Sequence, residues 1–263
     1  MRPLGVAHLT ALDLAPVGLV RKAAQAGFST VGLRLHPVMP GALAYPQPVG
    51  SPSARELQRV LAGEGVRVSD IEFVSLTAQL QVAECEPLLA AGAELGAVSL
   101  TVSGDDDDPV RLTHTFAALC ELASGYGLRV DLEFMRWRAV ANVQQAVAVV
   151  AGAGQGNAGV LVDALHLYRS GGDEQALAQV DPRYLRAMQL CDAPLQAPVE
   201  TLIIQEAREG RLLPGDGQLP LAALINALPA DVQVSVETPS ALFAPEMRLK
   251  TAYETTRTWL SRV

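Results

Sequence analysis

The sequence predicts an α/β fold, a single (β/α)₈ barrel over residues 1–263, on three observations. The first is length: 263 residues lies close to the roughly 250 of such a barrel. The second is rhythm. Short apolar, β-branched runs alternate with Ala- and Leu-rich stretches of helical period, about thirty residues per unit, which is the pattern of βαβ units in a parallel sheet. The third is the placing of isolated polar residues at the ends of apolar strands, on the face where barrel enzymes build their sites. An open doubly wound sheet is the alternative that the same alternation allows.

Taken in order, the strands are expected at Val6–Thr10, Thr30–Leu35, Val66–Val74, Ala97–Val102, Arg129–Glu133, Ala158–Asp163, Leu185–Leu190 and Val232–Glu237. Helical periods fill the gaps at Ala15–Ala26, Ser53–Gly63, Leu80–Leu95, Pro109–Tyr126, Val140–Ala151, Glu174–Ala178, Leu219–Leu228 and Pro245–Ser261. Two connections exceed the usual two to six residues of a βα loop: His36–Pro52, rich in Pro and Gly, and Cys191–Gln218, which holds EAREGRLLPGDG. Both follow strands, so both belong to the face that carries function, as lids or substrate walls.

Composition narrows the chemistry. A formal net charge of −8 with no basic cluster argues against nucleic acid, since phosphate backbones are bound by grouped Lys and Arg. Lys22 and Lys250 are the only lysines, and both fall on expected outer helices, which argues against a lysine Schiff base. Cys85, Cys120 and Cys191 sit in separate elements without paired spacing and read as reduced thiols. The N-terminus lacks an apolar leader and no stretch reaches the length of a membrane span, so a cytoplasmic protein without membrane partners is expected.

Two motifs mislead. Gly154-Gln155-Gly156-Asn157-Ala158-Gly159 matches GxGxxG in letters, but a dinucleotide loop follows a strand and opens a helix. Here the order is helix, glycines, strand, so the glycines read as a helix C-cap. Asp105–Asp108 before Pro109 lacks the alternating ligands of a calcium loop and reads as a helix start.

The informative residues follow from strand parity, because alternate side chains face opposite ways. With Val130, Leu132, Val160, Val162, Met188, Leu190, Val234 and Val236 turned outward to the helices, Glu133, Asp163, Gln189 and Glu237 turn into the barrel. Four consecutive strands thus each deliver one oxygen-bearing side chain to the same mouth. Buried carboxylates need pairing or a metal. An oxygen-dominated set suits one divalent ion, Mg²⁺ or Mn²⁺ first, with Co²⁺ or Zn²⁺ as alternatives. His166 follows Asp163 by three residues and has a pKa suited to proton transfer. Glu72, in DIEF, and Arg34, at the end of the second strand, are candidate substrate contacts, as is His8 on the first strand.

LEF with Glu133, VDALH with Asp163 and His166, QLCD with Gln189 and Asp192, RLLPGDG with Arg211 and SVETPS with Glu237 together resemble the xylose isomerase-like barrel superfamily, over essentially the whole chain. The superfamily includes sugar isomerases and epimerases, inosose and dehydroshikimate dehydratases, and apurinic-site endonucleases. The resemblance implies that Glu133, Asp163, Gln189 and Glu237 are metal ligands and that His166 and Arg211 contact substrate. Most members carry His where this chain has Gln189, an exchange shared with some dehydroshikimate dehydratases. The chain has only four histidines, too few for the endonuclease zinc cluster.

The expected activity is a metal-dependent isomerase or epimerase of a small sugar or polyhydroxylated ketone. Glu133 and Glu237 would move the proton through a metal-stabilised enediolate, with His166 assisting. A dehydratase sharing the same proton abstraction is the alternative, and a non-catalytic metabolite-binding barrel the rival of another class. The partner expected is a small polyhydroxylated substrate, with a homo-oligomer left open.

Overall fold

A computed structural model describes residues 3–240 and 244–262, so the outermost ends of the expected 1–263 span lie outside it. The strands are β1 (Gly5–Val6), β2 (Thr30–Arg34), β3 (Arg67–Leu76), β4 (Ser99–Gly104), β5 (Arg129–Glu133), β6 (Ala158–Asp163), β7 (Leu185–Leu190) and β8 (Gln233–Val236). Each pairs in parallel with the next, and β8 pairs with β1, which closes the barrel. Closure decides between the two folds that the alternation allowed.

Helices α1 (Pro16–Ala26), α2 (Pro52–Glu64), α3 (Glu86–Glu94), α4 (Pro109–Ser124) and α5 (Val143–Ala153) cover the first five strands. After β6 come α6 (Ala164–Arg169) and α7 (Glu174–Ala178), after β7 α8 (Ile203–Glu209) and α9 (Leu221–Ala227), and after β8 α10 (Pro245–Leu260). The strand residues assigned outward by parity, Val130, Leu132, Val160, Val162, Met188, Leu190, Val234 and Val236, are all buried in one apolar shell against these helices. That shell is what fixes the parity. A one-residue slip of any strand would bury its polar set against helices and turn valines into the barrel.

Several helix starts follow the capping rule, in which a side-chain oxygen takes an otherwise orphaned N–H. Ser51 accepts from Ala54, Asn142 from Gln145 and Asp173 from Ala176. Asp108 accepts from Val110 and Arg111, so the acidic run before Pro109 is a helix start. Gly154, with φ 65°, ends α5 in the left-handed conformation, and β6 begins four residues later. The GxGxxG match is therefore a C-cap on the face away from the site.

Most element boundaries fall within a few residues of expectation, and three local features were not anticipated. The first strand stops at Val6, and His8–Ala11 is a 3₁₀ turn in which both ring nitrogens of His8 bond backbone groups. The apolar run AGVLVDALHLY hides a break at Asp163, whose carboxylate caps α6 by accepting from the His166 N–H at 2.9 Å. The long connection after β7 carries the short helix α8, pinned by a double ion pair between Arg169 and Glu206, both contacts 2.7 Å. Among the described residues no helix is long and apolar enough to cross a membrane.

Candidate metal centre and active site

The C-terminal strand ends meet at one mouth. Glu133 ends β5, Asp163 ends β6, Gln189 lies on β7 and Glu237 follows β8. All four are 5% exposed or less. Ligand atoms of Glu133, Asp163 and His166 lie within 4.8 Å of one another. Gln189 Nε2 donates to Glu237 Oε1 at 3.1 Å, which ties the remaining pair together.

Arg211 joins the two pairs. Its Nη1 contacts Asp163 Oδ2 at 2.5 Å, its Nη2 contacts Glu237 Oε2 at 2.9 Å, and its Nε donates to the Ala207 carbonyl of α8 at 2.8 Å. The long loop can aim this side chain because Asp192, just past β7, organises it. The Asp192 carboxylate accepts from the N–H groups of Ala193, Gly215 and Leu219 at 2.8–3.0 Å. Any side chain at Gly217 would collide with that carboxylate, which accounts for a glycine there.

A second ion pair, Arg34 to Glu72 at 3.0 Å, stands on β2 and β3 across the barrel. Four buried carboxylates, Glu72, Glu133, Asp163 and Glu237, therefore face two guanidinium groups. With all six ionised, two negative charges are left over.

The titration of the groups reflects that imbalance. Burial lifts Glu133 well above the usual carboxylate range, and the neighbouring charges of Glu237 and Asp163 lift it further against the pull of Arg211. Burial lifts Glu237 to about 8, with Arg211 opposing and Asp163 and Glu72 adding. Asp163 suffers the same burial, yet Arg211 and His166 hold it below its ordinary value. Burial pushes His166 down to about 4 despite Asp163, which leaves a neutral imidazole at neutral pH. Its Nε2 lies 3.6 Å from Glu133 Oε1, and the Trp137 ring packs edge-on against it at 5.1 Å.

These residues fit a divalent cation on two observations. The surplus of two negative charges equals the charge of one such ion, and buried charges left unbalanced are costly. Gln189 Oε1 is buried with no hydrogen-bond partner, a free acceptor in a place where orphaned acceptors are rare. The donors are carboxylate and amide oxygens with a single imidazole, a set that suits a hard or borderline ion. Arg211 already pairs with Asp163 and Glu237, so Glu133, His166 and the Gln189 oxygen are the donors with least commitment elsewhere.

The expected site residues divide clearly. Glu133, His166, Arg211, Glu237, Arg34 and Glu72 line one cavity of about 250 Å³, with Asp163 and Gln189 behind them. His8 does not join them. It is buried, its Nδ1 accepts from the Arg34 N–H at 2.8 Å, and its Nε2 bonds the Leu14 carbonyl at 2.9 Å. Burial accordingly lowers its pKa. Both nitrogens are occupied, so His8 braces the turn after β1 and leaves no atom for substrate. His166, expected to contact substrate and assist proton transfer, is grouped geometrically with Glu133 and Asp163 as a further ligand candidate. Sequence reasoning missed the walls of the cavity, among them Leu9, Leu12, Phe73, Met135 and Trp137. Most lie in loops or turns, where no periodicity marks them.

A family model described as the xylose isomerase-like TIM barrel matches residues 20–262. Two curated relatives are a 3-dehydroshikimate dehydratase of Pseudomonas aeruginosa, 31% identical over 136 residues (51% of this chain, 21% of that protein), and an inosose isomerase of Bacillus velezensis, 32% identical over 146 residues (53% and 49%). The chain thus spans about a fifth and about half of the relatives it matches. Among solved structures, the IolI protein with a bound zinc atom superimposes with a TM-score of 0.81 at 19% identity, covering 100% of this chain and 99% of that one.

Proposed function

The chain belongs to the xylose isomerase-like TIM barrel family, and from that premise we propose that it is a divalent-metal-dependent isomerase or epimerase of a small sugar or polyhydroxylated ketone, acting as one domain over residues 1–263. The observation that carries this reading is the convergence of four buried carboxylates on two guanidinium groups beside an unpartnered amide oxygen. Glu133, Asp163, Gln189 and Glu237 would hold the ion, with His166 beside them. When bound, the ion polarises a substrate carbonyl and acidifies the adjacent C–H.

The protein groups supply the rest. Glu237 and Glu133 are the proton carriers, because both are carboxylates that line the cavity and each has a second oxygen that can take a substrate proton. His166, kept neutral by burial, offers a donor or an acceptor without adding charge. Arg211 and the Arg34–Glu72 pair orient hydroxyl or anionic groups of the substrate. The apolar walls limit water around the reacting carbon.

The match to a dehydratase supports a second reading, in which the same proton abstraction is followed by loss of a β-hydroxyl. Both readings are tested by exchange of a substrate C–H proton with D₂O, followed by NMR, on metal-loaded protein. In Glu237→Gln the amide oxygen still coordinates but cannot accept a proton, so exchange should fall by about 10²–10⁴-fold. Exchange at the wild-type rate in that variant would remove Glu237 from the proton path. New alkene signals accompanying exchange would favour the dehydratase.

A further inference from the structure

Beyond the charged strand ends, the cavity changes character. Its walls are Leu9 and Leu12 from the turn after β1, Val38 from the loop after β2, Phe73 from β3, and Met135 and Trp137 from the loop after β5. Met39 and Leu43 stand at the rim, 48% and 50% exposed. Apart from Trp137, none of these side chains belongs to the apolar shell between barrel and helices. They form a second apolar surface contributed by separate segments of the chain, with Phe73 and Met135 buried and the others partly open. The polar residues lining the cavity away from the strand ends are Arg138, paired with Asp105 at 2.9 Å, and Arg208.

A substrate bearing hydroxyls along its whole length would set several of them against these walls with no protein partner. Such unpaired polar groups are what binding sites discriminate against most sharply. Apolar surface in the same place gains by covering the walls.

Building on the proton-transfer reading above, we infer that the substrate is amphiphilic: a hydroxy-ketone head that meets the charged strand ends, joined to an aryl or alkyl body that fills the apolar walls. The size agrees. An apolar cavity of about 150 Å³ accommodates a benzene ring, and the cavity here, about 250 Å³, has room for such a ring and a short head. Trp137 links the two zones, since it lines the wall and packs perpendicular to the His166 ring.

The test compares two ketones with the same hydroxymethyl head: erythrulose, with hydroxyls throughout, and phenethyl hydroxymethyl ketone. Exchange of the hydroxymethyl protons with D₂O is followed by NMR on the Mg²⁺-loaded protein. The phenyl ketone should exchange with kcat/KM roughly tenfold or more above erythrulose, and Met39→Ser and Leu43→Ser should each lower that ratio. A ratio of one or below, with exchange of either ketone, overturns the amphiphilic substrate and leaves the proton-transfer reading standing. If neither exchanges, the proton-transfer reading fails, and saturation-transfer NMR of the same two ketones decides the inference. Transfer to the phenyl protons that weakens in Leu43→Ser supports it. Equal transfer to both ketones, or transfer to neither, overturns it.

Discussion

Arg211 directs its whole guanidinium inward, to Asp163, Glu237 and the Ala207 carbonyl. It therefore has two duties, to pair with two of the four buried carboxylates and to present a fixed cation beside the substrate. Removing one partner of a buried ion pair leaves the other uncompensated, at about 3–5 kcal/mol. Arg211→Ala should accordingly lower the melting temperature, and it should raise KM roughly tenfold or more, about 1.4 kcal/mol. Unchanged kinetics on a true substrate would reduce Arg211 to a structural residue. Single side chains were unevenly legible in the sequence. Glu133, Asp163, Gln189 and Glu237 could be found because strand parity alone decides which way they face. His8 could not be judged, because what occupies its ring nitrogens is backbone from Arg34 and Leu14, and letters do not show where backbone goes.

At the scale of elements, strands were more legible than loops. The outward valines and leucines of β5 to β8 have one reading, whereas the connections after β1, β2, β5 and β7 carry most of the cavity walls without any period. The helix α6 was hidden because Asp163 is both the end of a strand and a helix cap, and an apolar run on either side masks that double role. The strands also carry charge below the site. Asp70 on β3 lies two residues before Glu72, and Asp131 on β5 two before Glu133, where it pairs with Arg129 at 2.9 Å. Burial lifts Asp70 to about 7 and the charge of Glu72 adds to this, against the hydrogen bond from Ser69. The folded state thus holds a proton on Asp70 that the unfolded chain releases near pH 4. Stability contributed by this group falls as pH rises from about 4 to about 7, by about 1.4 kcal/mol per pH unit, and is flat above. Asp70→Asn lacks this loss. Its melting temperature relative to wild type should climb between pH 4.5 and pH 7.5, and a constant difference across that range would show Asp70 to titrate normally.

At the scale of the whole molecule, the barrel gathers acidic side chains at one end and balances only part of their charge. Four carboxylates and two guanidinium groups share the mouth, and Gln189 adds an oxygen with no donor to satisfy it. A cation would take the place of the protons that burial favours on Glu133 and Glu237, and its binding should stabilise the fold by mass action, about 2.7 kcal/mol at a hundredfold excess over Kd. The most direct measurement is calorimetric titration of Mn²⁺ into chelator-treated protein, repeated with Glu133→Ala. One ion per chain, bound saturably, raising the melting temperature and weakened strongly in the variant, is the predicted result. No saturable binding, or binding that Glu133→Ala leaves intact, would contradict a metal centre at these strand ends.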